Sequence, residues 1–156
     1  MFVLVEKLLQ NEVTLERTNR DFYRLGSFIL DNEGWGGFAK FFKKSSDDEQ
    51  SHADGFAGFL VDRNIDPIYE SISKYDMGEG SPLDWMKAAY EAEVKTTAAI
   101  EEIYKTAHDE GEFLVTEFLQ FYLREQKDSE REVWDIIQAL EASPNEWRLI
   151  DNELDA

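Results

Sequence analysis

Apolar residues recur at helical rather than alternating spacing through four long stretches of the chain, and the breaks between them are few. Only three prolines occur, at positions 67, 82 and 144, and six of the nine glycines, at 34, 36, 37, 78, 80 and 111, lie at the gaps, a sparse punctuation that favours long helices over many short strands. The first stretch runs from about Val3 to Asn32 and closes on Asp31-Asn32-Glu33-Gly34, a short turn that reverses the chain. The second runs from about Trp35 to Asn64. Ile65 to Ser81, with Pro67, Gly78 and Gly80, has no helical period and reads as a long connection. Ser81-Pro82-Leu83-Asp84 then supplies an N-cap, a proline at the first helical position and an acid in the first turn, which opens a third helix to about His108. After Gly111 a fourth helix spans about Glu112 to Ala142. Ser143-Pro144-Asn145-Glu146 repeats the start signal, with Glu146 placed to complete a capping box for a short fifth helix.

Helices of about thirty residues are about 45 Å long, and short first and third connections make their neighbours antiparallel. The long middle connection can travel the length of the bundle and leave helices two and three parallel. The predicted fold is therefore all-α: a four-helix bundle with a long crossover between helices two and three and a short fifth helix. We expect a single domain over residues 1–156, with the bundle at about 3–142 and the last helix at about 144–155.

Residues seven apart share one seam of a packed helix, so each helix can be asked what it places inward. The first gives Leu9, Glu16, Tyr23 and Leu30; the second gives Trp35, Phe42, Glu49 and Phe56 beside Phe38, Ser45, His52 and Phe59. The third gives Met86, Glu93, Ile100 and Ala107, and the fourth Leu119, Gln126, Val133 and Leu140 beside Val115, Tyr122, Ser129 and Ile136. In all four, apolar residues flank a polar one at mid-length. Glu49 and His52, spaced i, i+3, lie on one face within range of a single metal ion. Taken alone that spacing is weak, because a lone inward histidine is usually a hydrogen-bonded core residue. It gains weight from Glu16, Glu93 and Gln126 at matching depth on the other helices.

Ionised carboxylates converging in a core repel one another and are costly unless something positive sits among them. No Lys or Arg occupies the inward seams at mid-bundle, although Arg20 and Arg124 are near along the chain. A divalent cation is the simpler neutraliser. Tyr23, one heptad from Glu16, is either a core aromatic whose hydroxyl a carboxylate satisfies or a donor beside an oxidising metal. His108, at the end of the third helix, suits an interaction with the helix dipole better than ligation.

Composition narrows the chemistry further. The chain has 156 residues with no Cys, so thiolate nucleophiles, disulfides and cysteine-held clusters are excluded and any metal must be bound by oxygen and imidazole. A net charge of −18 repels nucleic acid and anionic membrane surfaces but gathers cations. Disorder is not the reading of that charge, because 42% hydrophobic and 13% aromatic residues supply ample surface to bury. No stretch approaches a membrane span or a signal h-region, so the expected compartment is the cytoplasm.

The combination of these residues resembles ferritin, of the bacterial non-haem type. The matching stretches are Thr14-Leu15-Glu16 with Tyr23, Gly37-Phe38-Ala39-Lys40-Phe41-Phe42 leading into Asp48-Glu49-Gln50-Ser51-His52-Ala53, Glu93, Tyr122-Leu123-Arg124-Glu125-Gln126, and the Ile150-Asp151-Asn152-Glu153-Leu154 tail. The resemblance implies that Glu16, Glu49 and His52 hold a first iron, that Glu49 bridges, and that Glu93 with Gln126 nearby serves a second, with Tyr23 adjoining. It also implies a third iron position matched by Asp48, Glu125 and Asp128. Ser129 stands where some relatives have another acid, and Glu130 is a substitute. Bacterioferritins and rubrerythrins carry a second Glu-x-x-His in the last bundle helix, where this chain has Gln126 and Ser129. The haem-ligating Met of bacterioferritin would fall at Gln50, so no haem is expected.

What the resemblance implies for function is iron storage with ferroxidase activity. Fe(II) would be oxidised by dioxygen at an intra-subunit di-iron centre and deposited as ferric oxyhydroxide in a hollow homo-oligomeric cage of twenty-four subunits. Two other readings stay open on the sequence: a fixed di-metal oxidase or peroxidase of rubrerythrin or bacterioferritin type, and a non-catalytic helical assembly protein with protonated core glutamates.

Overall fold

The computed structural model describes residues 1–77 and 80–156, and Gly78 of the middle connection lies outside the described residues. Five helices follow one another: α1 Val3–Asn32, α2 Gly36–Asp62, α3 Pro82–Asp109, α4 Phe113–Ala142 and α5 Trp147–Asp155. Among the described residues there is no strand. This is the all-α four-helix bundle with a long crossover and a short fifth helix that the hydrophobic pattern predicts. No helix is long and apolar enough to cross a membrane among the described residues.

Local chemistry sets the boundaries. Gly34, at φ +87°, takes the left-handed step that lets the chain reverse between α1 and α2, and Gly111, at φ +72°, does the same between α3 and α4. At Ser81 the capping box forms as expected: its side chain accepts the Asp84 N–H at 3.2 Å while Asp84 accepts the Ser81 N–H at 2.9 Å.

The second box does not form. Glu146 donates its backbone N–H to the Ser143 carbonyl at 3.0 Å, closing a turn around Pro144 and Asn145, and α5 starts only at Trp147 without a side-chain cap. Proline is as well suited to the second position of a reverse turn as to the first turn of a helix, and here the turn wins. It seats α5 against α2, where Asp151 accepts the Phe38 N–H at 2.9 Å and so supplies, from across the chain, the cap that Trp35 does not.

The crossover lies along α1. Gln10 donates to the Asp66 carbonyl at 3.0 Å and accepts the Ile68 N–H at 2.8 Å; Arg17 donates to the Glu70 carbonyl at 2.9 Å; and Tyr75 meets the Phe22 ring edge-on at 4.8 Å between centroids. These anchors progress from position 10 to 22 of α1, so the connection carries the chain back along the bundle and leaves α2 and α3 parallel.

The buried apolar residues divide into two clusters. One holds Phe22, Leu30, Phe38, Phe42, Trp85, Met86, Ile137 and Leu140; the other holds Val5, Leu9, Val13, Phe56, Leu60, Ile100, Ile103 and Leu119. Between them lies a belt of buried polar side chains, including Glu12, Glu16, Asn19, Glu49, His52, Glu93, Thr96 and Gln126. Asn19 and Thr96 satisfy each other across it at 2.7 Å.

Packing in the first cluster is tight enough to test. A Cβ at Gly26 would stand 2.5–2.8 Å from the Phe42 ring and 3.0 Å from Trp85, both fully buried and with little room to give. Overpacking typically costs about 1–3 kcal/mol, whereas replacing a helical glycine returns about 1 kcal/mol. Gly26→Ala should therefore lower the melting temperature by roughly 4 °C, read by calorimetry. An increase would show that the Phe42 and Trp85 rings move freely.

Candidate metal centre

Each helix of the bundle places a polar side chain in the belt because its heptad seam crosses the core there. Glu16 comes from the middle of α1, Glu49 and His52 from successive turns of α2, Glu93 from α3 and Gln126 from α4. Glu16, Glu49, Glu93 and Gln126 are at most 3% exposed, and His52 is 9% exposed.

Three of the five converge. One donor atom each from Glu16, Glu49 and His52 lies within 4.8 Å of the others. His52 Nδ1 is 3.6 Å from Glu16 Oε2 and 4.0 Å from Glu49 Oε2, too far for hydrogen bonds but right for atoms that face a shared ion. Both Glu16 oxygens, Glu49 Oε2 and His52 Nδ1 are buried without a hydrogen-bond partner. Buried polar atoms are nearly always satisfied, so a convergent group of unpartnered donors is a set that could hold a metal ion.

Glu93 and Gln126 are held differently. Tyr23 donates its hydroxyl to Glu93 Oε1 at 2.6 Å, and Gln126 Nε2 donates to Glu93 Oε2 at 3.0 Å. Glu93 thus joins the centre from a fixed position, with both oxygens engaged. The charge lies close enough to Glu49 and Glu16 to raise the carboxyls of both. Of the two readings of Tyr23, the carboxylate-satisfied core aromatic is the one visible in these bonds.

Electrostatics agree with a cation-seeking site. Burial pushes the Glu16 and Glu49 carboxyls well above the ordinary 4.5; the Glu16 carboxylate raises Glu49 further, and the charges of Glu12 and Glu93 raise Glu16. Burial raises Glu93 too, opposed by its bonds from Tyr23 and Gln126. Neither nearby arginine supplies the positive charge: Arg20 turns to Asp21 at 3.0 Å and Gln50 at 2.8 Å, and Arg124 is exposed. Gln50, the position considered for a haem ligand, is held by Arg20 and by Asp54 at 2.9 Å.

A cavity of about 390 Å³ leads from this group to the surface. Tyr23, Glu49, His52 and Glu93 line its inner end, and Lys44, Asp48, Glu125 and Glu132 its outer part. Asp48 and Glu125, two of the residues considered for a third position, thus line the same cavity as Glu49 and His52. The structure does not bring Asp128 to the cavity: it is exposed and 3.9 Å from Lys127. Glu130 does not line the cavity either, but accepts a bond from Thr97 Oγ1 at 2.6 Å, one link away from Gln126. Glu132, not anticipated from the sequence, faces it instead. His108 is 3.9 Å from Asp109 in the last turn of α3, remote from the centre, as its place near the helix end suggested.

Glu12 was also missed. It is 2% exposed, its Oε1 has no partner, and burial raises its carboxyl to about 8. A second seam of α1, Val5-Glu12-Asn19-Gly26 in steps of seven, would have found it, since all four are buried.

Fold and site together define a helical bundle with an inward carboxylate–imidazole group suited to a divalent transition metal. Residues 6–143 match the family model of the ferritin-like domain. The bacterial non-heme ferritin of Bacteroides fragilis is 26% identical over 141 residues, covering 88% of this chain and 89% of that protein. The soma ferritin of Lymnaea stagnalis is 32% identical over 119 residues, covering 72% of this chain and 66% of its own length. Among solved structures, the open pore ferritin of the archaeon Archaeoglobus fulgidus superposes with a TM-score of 0.94 at 25% identity, covering 99% of this chain and 97% of that one. The chain belongs to the ferritin family.

Proposed function

We propose that this chain oxidises Fe(II) with dioxygen at the Glu16–Glu49–His52 group, with Glu93 and Gln126 beside it, and stores the ferric product inside a hollow homo-oligomeric cage. The observation that carries the reading is the set of orphaned donor atoms on Glu16, Glu49 and His52, all within 4.8 Å of one another. Two carboxylates and one imidazole would accept Fe(II) and stabilise Fe(III) still more, so the donor set favours loss of an electron to dioxygen. Two Fe(II) held there would give one electron each to one dioxygen, which with two protons leaves as hydrogen peroxide while both irons become Fe(III).

The protein's part is to hold, orient and admit. Glu16 and Glu49 supply charge from facing helices, His52 supplies the neutral donor, and Tyr23 and Gln126 fix Glu93 at the edge. The acid-lined outer cavity attracts Fe(II), while the asymmetry introduced by Gln126 weakens the second position so that the product leaves. That asymmetry favours turnover of iron as substrate over a permanently bound pair of metals. Asp48, Glu125 and Glu132 in the outer cavity suit a further iron on its way in or out.

The test is rapid mixing of metal-free protein with Fe(II) and oxygen, followed by size exclusion. A transient absorbance from paired iron, then a mineral retained in a particle near the mass of twenty-four chains, is the expected result. Oxidation no faster than in buffer, or a particle of dimer mass with two tightly held metals per chain, would overturn it.

A further inference from the structure

The iron-oxidising reading makes no use of Glu12. Glu12 stands one turn of α1 before Glu16, on the side away from Tyr23, where residues four apart are neighbours on the helix surface; both are buried, and neither its Oε1 nor either Glu16 oxygen has a hydrogen-bond partner. A turn of four residues carries it about 6 Å along the helix axis from Glu16. Val5, Leu9 and Val13, its neighbours on α1, belong to an apolar cluster. The basic residues that follow it are engaged elsewhere: Arg17 bonds the Glu70 carbonyl and stacks on Tyr69 at 3.9 Å, and Arg20 bonds Asp21 and Gln50.

A glutamine would fill the same space without the cost of a buried acid. A cation removes that cost, and an oxygen-only pair completed by water suits a divalent ion. We propose that Glu12 and Glu16 together hold a further divalent cation inside the bundle, with Glu16 shared between this position and the Glu49–His52 group. The proposal rests on Glu16 being a metal ligand, as in the function above, and adds a position which that group does not contain. Iron bound there would wait one helical turn from the centre while the iron already at the centre turns over.

Zinc is the probe, because it is redox-inert and gives an anomalous X-ray signal. Crystals of the full chain soaked in Zn(II) should show one peak at Glu16–Glu49–His52 and another between Glu12 and Glu16. In Glu12→Gln the second peak should vanish while the first stays, and zinc bound per chain in solution should fall by one. A wild-type peak at Glu16–Glu49–His52 alone, or a Glu12–Glu16 peak that survives Glu12→Gln, overturns this inference and leaves the iron-oxidising reading standing. No peak at either position overturns both. The glutamine relieves a buried charge without changing volume, so a native melting profile confirms that the comparison is between folded proteins.

Discussion

The iron oxidation proposed for this chain should fall by about 100-fold or more when His52 is replaced by alanine or Glu49 by glutamine. Removing even a residue that only orients a ligand costs about 10–100-fold, and these two side chains offer donor atoms directly. Glu49→Gln is the sharper variant, since it keeps the shape of a side chain that is 3% exposed and takes away its charge. It also removes one of the buried carboxylates whose repulsion burdens the metal-free protein, so the folded protein should be no less stable. A variant that melts higher but oxidises iron 100-fold more slowly would separate the chemical role from the structural one. Lys105→Ala, at an exposed position near the end of α3, should stay within twofold of wild type. Initial rates of Fe(III) absorbance give the comparison. Undiminished rates in both His52→Ala and Glu49→Gln would remove the site from the chemistry.

The metal-free protein should lose stability as pH rises through neutrality, and a bound divalent cation should reverse that trend. In the unfolded chain a glutamate titrates near 4.5, whereas burial raises Glu12 to about 8 and lifts Glu16 and Glu49 as well. A carboxyl whose folded value is raised gives its full stabilisation below the unfolded value and loses it as pH climbs through the folded one. The loss for Glu12 therefore spreads from about pH 4.5 to about pH 8. Repulsion among the surface acids, part of a net charge of −18, acts in the same direction. It is nearly complete by about pH 6, however, because exposed Asp and Glu titrate near 4. A decline between pH 6 and 8 that Glu12→Gln and Glu49→Gln each flatten is thus the mark of the buried group.

Zinc binds only the deprotonated ligands, so its effect grows with pH. At about a thousandfold over its dissociation constant it adds about 4 kcal/mol, or roughly 10 °C in melting temperature for a chain of this size. Calorimetry in chelator and in zinc, from pH 5 to 8.5, reads both slopes. Parallel curves would mean that these acids are not where the metal binds.

Most of the fold was legible because its signals are local. Helical periodicity marked α1 to α4, Gly34 and Gly111 marked the reversals, and the Ser81 to Asp84 box marked the start of α3. The start of α5 was not legible, because Ser-Pro-Asn-Glu serves a turn or a helix equally well and the choice is made by docking, through Asp151 on the Phe38 N–H.

The centre divides in the same way. Glu16, Glu49 and His52 stand on seams that seven-residue steps reveal, and the structure brings them together. Glu12 escaped because only one seam of α1 was followed. On α4, a step of seven from Glu125 leads to Glu132, which faces the cavity, whereas Asp128 falls off that line into solvent. Gln126 gives its amide N–H to Glu93, which leaves its Oε1 as the atom that could face a metal, a division of roles that the residue type alone does not reveal.

The polar belt between the two apolar clusters has a mechanical consequence. Neither half-core alone can hold helices of 27 to 30 residues together, and the material joining them is a row of acids that repel when empty. An ion seated there rivets the halves. A loaded subunit would come apart in one step, while an empty one would breathe open at its waist, so hydrogen exchange in the middle turns of α1 and α2 would report iron occupancy.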